Sequence, residues 1–130
     1  MDRLFLDANV LFSAAYLPSS GILRLWRLDD VALCSSAFAV GEARINLDDE
    51  AQRARLAKLA ESLELFNAAP APLPAGVHLP EKDAPILLAA IEARATHLIT
   101  GDLRHFGAYF GKRVAGVLVE TPSDYLRQWR

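Results

Sequence analysis

Short apolar runs and longer amphipathic stretches alternate along the chain. The apolar runs predict strands at residues 3–6, 31–34, 97–100 and 116–120. The amphipathic stretches predict helices at residues 10–16, 22–28, 37–47, 48–66 and 84–95, and a short helix near the end of the chain. Since strands that alternate with helices usually pair in parallel, this order predicts an α/β fold, with helices on both sides of a mostly parallel central sheet.

The helix that follows the acidic run Asp48–Glu50 has the clearest pattern. Its three negative charges suit the positive end of the helix dipole. Its apolar stripe consists of Leu56, Leu59, Leu63 and Phe66. The next segment, residues 67–80, contains four prolines and predicts an irregular surface connection. Near the end of the chain, Ser123 is expected to cap the last helix, which carries Tyr125, Leu126 and Trp129.

The composition predicts one globular domain, residues 1–130. Hydrophobic residues make up 52% of the chain, which argues against disorder, while the apolar runs are too short to span a bilayer. An acidic residue interrupts the apolar N-terminal run, so no signal peptide is expected and a cytoplasmic location is predicted. The single Cys34 is predicted to be a buried thiol. A formal net charge of −2 counts against nucleic-acid binding unless cations are bound.

Four carboxylates are expected to lie near one edge of the predicted parallel sheet. Asp7 and Asp102 each follow a predicted strand, so both should face the crevice at the carboxyl ends of the strands. Glu42 lies in the helix after the second strand, and Asp83 is at the start of the helix before the Asp102 strand. Clustered carboxylates repel one another unless a divalent cation compensates them, and oxygen ligands favour Mg²⁺ or Mn²⁺. Two such ions about 4 Å apart could activate water and stabilise the departing oxygen in phosphodiester hydrolysis.

Other interpretations of these residues stay open at this point. Each carboxylate could serve only as a helix cap, a turn residue or a solvated charge, and Asp83 most easily as a cap. Glu81 could supply the third carboxylate, although Asp83 directly precedes the apolar helix. The three histidines lack zinc-like spacing. A phosphatase of the haloacid-dehalogenase type would require Asp-x-Asp after the first strand, where this chain has Asn9.

The order of these motifs closely resembles the PIN-domain family, and its length resembles a VapC-type toxin. The matching residues are Leu6–Leu11, Glu42, Asp83 with Ile86–Ala90, Leu98–Asp102 with Phe106, and Thr121-Pro122 with Tyr125-Leu126. Any one of these motifs is weak, but four acids in this order on the matching elements form a specific signal. The resemblance covers essentially the whole chain.

The resemblance implies an Mg²⁺- or Mn²⁺-dependent endoribonuclease with a PIN-like α/β/α fold. It implies that the four acids Asp7, Glu42, Asp83 and Asp102 surround the metal. Members commonly form homodimers and are inhibited by a cognate antitoxin that inserts a segment into the active-site groove. The positions of Thr100 and Asn9 often lie near the acids in such proteins, so both residues are also candidates for substrate binding. The alternative is a PIN-like RNA-binding or regulatory module without catalysis, which would be expected to lose one or more acids.

Basic residues next to the acids are the candidate RNA contacts. Lys82, Arg44 and Arg104 flank three of the proposed ligands in sequence, and His105 lies three residues beyond Asp102. Each could equally be an ordinary solvated charge, or in the case of His105 a surface imidazole. Two bound divalent ions would turn the formal charge of −2 positive, so the acidity does not exclude RNA as a substrate.

Overall fold

The computed structural model describes residues 1–129, which form an α/β structure around one twisted sheet. The strands are β1 (Asp2–Leu6), β2 (Val31–Ser35), β3 (Glu64–Leu65), β4 (His97–Ile99), β5 (Arg113–Val114) and β6 (Val117–Glu120). The α-helices are α1 (Ala8–Tyr16), α2 (Ala37–Asn46), α3 (Glu50–Ala60), α4 (Ala84–Glu92), α5 (Leu103–Phe106) and α6 (Pro122–Leu126). Two 3₁₀ turns span Gly21–Arg27 and Gly107–Tyr109.

The sheet has the strand order β3-β2-β1-β4-β6-β5. Every neighbouring pair is parallel except β5 and β6, which are antiparallel. The predicted α/β fold with a mostly parallel sheet is therefore confirmed. In the centre, β1 and β4 are paired with Leu6 opposite Ile99. Because these two strands end side by side, the residues that follow them, Asp7 and Thr100, are brought together at one edge of the sheet.

The central strands β1 and β4 lie within the hydrophobic core. Leu4, Phe5 and Leu6 of β1 are fully buried, as expected for a strand covered on both faces. Helix α4 is apolar on most of its surface, and it contacts β4 and α2. Cys34 is buried, as predicted, and burial raises the pKa of its thiol to about 11. The core thus holds the ends of β1 and β4 in fixed positions.

Strand β3 corrects the prediction that one helix runs from residue 48 to Phe66. Helix α3 ends at Ala60, and Glu64–Leu65 pair with Cys34 and Ser35 of β2. The periodicity is misleading because Leu63 is buried after the helix has ended. The free edge of β2 accepts this short segment as a further strand, and the N–H of Phe66 also donates to the carbonyl of Ser35 (2.8 Å). Residues 67–80 contain no helix or strand, as predicted.

The cap of the last helix was also predicted wrongly. Thr121, not Ser123, is the N-cap of α6, and its Oγ1 accepts a hydrogen bond from the N–H of Asp124 (3.1 Å). Pro122 then occupies the first turn, where its fixed φ is favourable and its missing N–H is not needed. The helix ends at Leu126, so Trp129 lies beyond it. Within residues 1–129, no helix is long and apolar enough to cross a membrane.

Candidate metal centre

A cleft of about 690 Å³ opens at the carboxyl ends of β1 and β4. All four acids proposed from the sequence line it: Asp7 after β1, Asp102 after β4, Glu42 on α2 and Asp83 at the N-cap of α4. Glu81, the alternative third carboxylate, is exposed and is not part of the lining. The structure therefore brings Asp7, Glu42, Asp83 and Asp102, which are up to 95 positions apart in sequence, into the lining of one cleft. Within residues 1–129, the group of possible ligand atoms that lie within 4.8 Å of one another includes Asp83 and Asp102 but not Asp7 or Glu42.

Asp7 is held rigidly at the base of this cleft. Its Oδ1 accepts a hydrogen bond from the N–H of Ala8 (2.7 Å), and its Oδ2 accepts from Thr100 Oγ1 (2.8 Å) and Asn9 Nδ2 (3.1 Å). Burial raises the pKa of Asp7, and the charges of Asp83 and Asp102 act in the same direction, while the hydrogen bonds from Thr100 and Ala8 oppose the shift. This carboxylate has a fixed orientation and is costly to ionise without a cation.

Thr100 and Asn9 connect the first acid to the last. Thr100 is completely buried, and its Oγ1 accepts from the N–H of Asp102 (3.1 Å) while it donates to Asp7. Asn9 accepts from the N–H of Gly101 through Oδ1 (2.8 Å). Both residues therefore donate to Asp7, and each also accepts a hydrogen bond from the backbone at Gly101 or Asp102. Thr100 is too deeply buried to touch an RNA strand, whereas Asn9 also lines the cleft.

Asp83 and Asp102 meet at the imidazole of His105. Asp102 caps α5, with Oδ1 accepting from the N–H of His105 (3.1 Å) and Oδ2 lying 2.8 Å from its Nδ1. Oδ2 of Asp83 lies 3.1 Å from the same nitrogen but outside hydrogen-bond geometry. Burial raises the pKa of Asp83; the imidazole of His105 opposes this shift and the charge of Asp102 reinforces it.

Oδ2 of Asp83 provides the test of whether a cation fits here. It is a buried carboxylate oxygen that receives no hydrogen bond from any of residues 1–129. One ligand atom each from Asp83, Asp102 and His105 lie within 4.8 Å of one another. A buried anionic oxygen without a donor is costly, and a divalent cation coordinated by carboxylates would remove that cost. The oxygen-rich lining fits Mg²⁺ or Mn²⁺.

The proposed RNA contacts fall into two groups. Lys82 is exposed and lines the cleft beside Asp83. Arg44 and Arg104 are exposed but are not part of the cleft lining, and neither is His105. If the two arginines contact RNA, they do so outside the cleft.

Several lining residues were not identified from the sequence. They include Phe12, Ser13, Phe38 and Asn46. For α2 a signal existed, because Phe38, Glu42 and Asn46 are spaced four apart and share one face of the helix. Phe12 is partly buried against the core and also lies in the cleft wall. No comparable sequence signal predicts Ser13.

A family model of the PIN domain matches residues 3–104. This match covers most of the chain and includes all four acids, so the chain belongs to the PIN domain family. Among curated proteins, none matches the chain at a significant level of sequence similarity.

Several solved structures share this fold. A chain of VapBC2 from Rickettsia felis, crystallised bound to a DNA fragment from their promoter, superposes with a TM-score of 0.63 at 17% identity over 92% of this chain and 98% of that one. A chain of FitAB bound to an IR36 DNA fragment gives 0.55 at 20% identity, over 92% and 94%. A chain of FitAcB from Neisseria gonorrhoeae gives 0.55 at 20% identity, over 92% and 98%. At these identities the likeness establishes the shared fold.

The raised pKa values of Asp7 and Asp83 predict how stability depends on pH and metal. A carboxyl whose pKa is raised by folding stabilises the fold fully below its unfolded value of about 4, and this contribution is lost as pH rises through the folded value. The rise in melting temperature in Mn²⁺ relative to EDTA should therefore increase as the pH rises from about 4 through the raised pKa values of these two carboxyls.

Differential scanning fluorimetry in EDTA and in Mn²⁺ at matched pH tests this prediction. Burial also lowers the pKa of His97, which is not part of the cleft lining. Its contribution to the pH dependence of stability is the same in EDTA and in Mn²⁺, so it cancels when the two melting temperatures are subtracted. A Mn²⁺ effect that stays constant over this pH range would contradict the assignment of these acids as metal ligands.

Proposed function

We propose that this protein is an Mg²⁺- or Mn²⁺-dependent endoribonuclease of the VapC type, the toxin of a toxin–antitoxin pair. The observation that carries the proposal is the donorless, buried Oδ2 of Asp83 in a cleft that also contains Asp7, Glu42 and Asp102. Membership of the PIN domain family supports the same activity. We take the whole chain, residues 1–130, to act as one PIN-like domain.

In this proposal Asp7, Glu42, Asp83 and Asp102 hold the metal. When bound, Mg²⁺ or Mn²⁺ supplies activation of water and stabilisation of the departing oxygen in phosphodiester hydrolysis. The chain itself supplies orientation: Thr100 and Asn9 each donate one hydrogen bond to the carboxylate of Asp7, and Asn9 also donates to Thr100. Asp7 and Asp83 are buried, which limits competing water around these two acids, while the side chain of Asp102 is 21% exposed.

Lys82 is the cation best placed to attract a phosphate into the cleft. Its charge lies close enough to oppose the raised pKa of Asp83, and it is exposed to an incoming strand. We assign Arg104 and Arg44 to contacts with the part of the RNA strand that lies outside the cleft.

The proposed partners are RNA, a cognate antitoxin and a second copy of this chain. Large apolar side chains are exposed on α1 and α2 and in the turn after α1: Tyr16 (48%), Leu17 (53%), Phe38 (41%) and Ile45 (74%). Exposed apolar side chains of this size are consistent with a protein partner. The VapBC2 and FitAB structures were both determined with bound DNA. A ribonuclease toxin would act in the cytoplasm.

Cleavage of a mixed panel of structured RNAs by the purified, partner-free protein tests the proposal. We expect cuts in Mg²⁺ or Mn²⁺ that disappear in EDTA and in the Asp102→Asn protein. Cuts that persist in EDTA would reject metal-dependent catalysis. Binding of RNA and Mn²⁺ without any cut across the panel would instead support a non-catalytic PIN-like module.

Lys82→Ala should weaken RNA binding and reduce its salt dependence. Removing one phosphate contact lowers the slope of log K against log salt by about 1. Fluorescence anisotropy with a labelled RNA measures this, in an Asp83→Asn background in which the strand should remain uncut. Lys58→Ala, which removes an exposed lysine of α3 outside the cleft lining, is the matched control. Equal slopes for the two variants would remove Lys82 from the RNA-binding surface.

A further inference from the structure

We propose that His105 is a positioning residue for the metal centre. Its Nδ1 lies 2.8 Å from Oδ2 of Asp102 and 3.1 Å from Oδ2 of Asp83, so one ring nitrogen lies between two of the four acids. This inference rests on the proposed function, because it assigns to those acids the role of metal ligands.

The hydrogen bond to Asp102 determines what His105 can do. With a carboxylate as acceptor, the 2.8 Å contact requires the proton to be on Nδ1. That nitrogen then has no lone pair for an ion, so the ring acts on the carboxylate and not as a ligand through Nδ1. Imidazoles and carboxylates that support metal ligands in this way typically change metal affinity by about 10- to 100-fold when they are removed.

The local structure fixes the ring in place. Phe106, the next residue, is 1% exposed and anchors α5 in the core. The N–H of His105 donates to Oδ1 of Asp102, so the same residue holds both oxygens of this carboxylate, one through the backbone and one through the ring. The side chain of Asp102 is 21% exposed. Without the ring, its carboxylate could turn toward water and away from Asp83.

The ring also keeps the two carboxylates close together. The side chain of Asp83 is 10% exposed, and its Oδ2 has no donor within residues 1–129, so it is repelled by the neighbouring Asp102 with little screening from water. The polar edge of the imidazole lies between them. His105 is not part of the cleft lining, and its side chain is 23% exposed.

Mn²⁺ binding without RNA tests this role. Isothermal titration calorimetry would compare the wild type with His105→Phe, which keeps a ring but has no donor, and with His105→Asn, whose amide can donate in place of Nδ1. We expect the Kd for Mn²⁺ to rise by about 10- to 100-fold in His105→Phe and to stay within about fivefold of the wild type in His105→Asn. His78→Asn is the control, since His78 is exposed and its hydrogen bonds to Tyr109 use only the backbone.

Several results would overturn the proposal. One is a Kd for Mn²⁺ that is unchanged or lower in His105→Phe than in the wild type. Another is a Kd for Mn²⁺ that rises as much in a folded His105→Asn as in His105→Phe. If His105→Phe does not fold by circular dichroism, His105→Gln, whose amide is one methylene further from the backbone, replaces it and is expected to bind Mn²⁺ more weakly than His105→Asn. Electron spin echo spectra of bound Mn²⁺ are a further test. A ¹⁴N coupling that is present in the wild type and absent in His105→Phe would show that the ring coordinates the metal directly, which would overturn the proposal.

The same titration separates this inference from the proposed function. A wild-type protein that binds no Mn²⁺ would reject the metal centre, and with it the role of His105. Wild-type binding with no difference among the folded variants would reject only the role of His105, and the RNA cleavage experiment would be unaffected.

Discussion

Asp83→Asn is expected to abolish Mn²⁺ binding and to reduce RNA cleavage by at least about 10³-fold, while the metal-free protein becomes more stable. The loss of activity follows because a bound cation contributes several kcal/mol of charge stabilisation and each 1.4 kcal/mol is about tenfold in rate. The gain in stability follows because burial raises the pKa of this carboxyl, so its ionised form destabilises the fold at neutral pH. A neutral amide of the same shape removes that cost and should raise the melting temperature by about 2–5 °C.

Melting curves in EDTA and Mn²⁺, together with initial rates of RNA cleavage, measure both effects. Glu81→Gln is the matched control, since it makes the same change of charge two residues earlier, at an exposed side chain outside the cleft lining. It should retain activity and the Mn²⁺ effect. If Asp83→Asn melts lower in EDTA and is still stabilised by Mn²⁺, Asp83 is a structural cap and the site must be reassigned.

Thr100→Val should decrease both stability and activity, although Thr100 cannot reach the substrate. Valine has nearly the same shape but removes the hydroxyl that donates to Asp7 and accepts from the N–H of Asp102. Leaving such groups unpaired costs about 1–3 kcal/mol, which corresponds to roughly 3–10 °C in melting temperature for a domain of this size. Because Asp7 also loses orientation, we expect RNA cleavage at fixed Mn²⁺ to fall by about 10- to 100-fold.

Thr96→Val separates the structural effect of this change from the functional one. Thr96 lies at the opposite end of β4, where its hydroxyl accepts from the N–H of Arg3 (2.8 Å) and donates to the carbonyl of Arg3 (3.0 Å). Its loss should lower the melting temperature but leave the Kd for Mn²⁺ unchanged. If both variants change stability equally and neither changes the Kd for Mn²⁺, Thr100 is only a structural residue.

The acids could be predicted from the sequence because their positions depend on strong local patterns. Asp7 and Asp102 follow apolar strands, and Asp83 precedes an apolar helix. Parallel pairing of β1 with β4 then brings the strand ends together without further information. The order of these elements along the chain was therefore sufficient to place these three residues in one cleft.

The remaining features depend on contacts that have no local pattern. Strand β3 has two residues and exists because the edge of β2 is available, so periodicity could not identify it. The contacts of the His105 ring with Asp83 and Asp102 could not be predicted, because the sequence does not tell how α5 turns after Asp102. Arg44 and Arg104 are close to acids in sequence but outside the cleft lining, because adjacent positions on a helix point in different directions.

Anomalous diffraction from crystals of the protein soaked in Mn²⁺ would test the central claim most directly. The account predicts an anomalous peak inside the cleft, within coordination distance of carboxylate oxygens from Asp83 and Asp102, and no such peak in Asp83→Asn crystals. Crystals that show no peak in the cleft at saturating Mn²⁺, or the same peak in Asp83→Asn, would contradict the assignment of these acids as a metal centre.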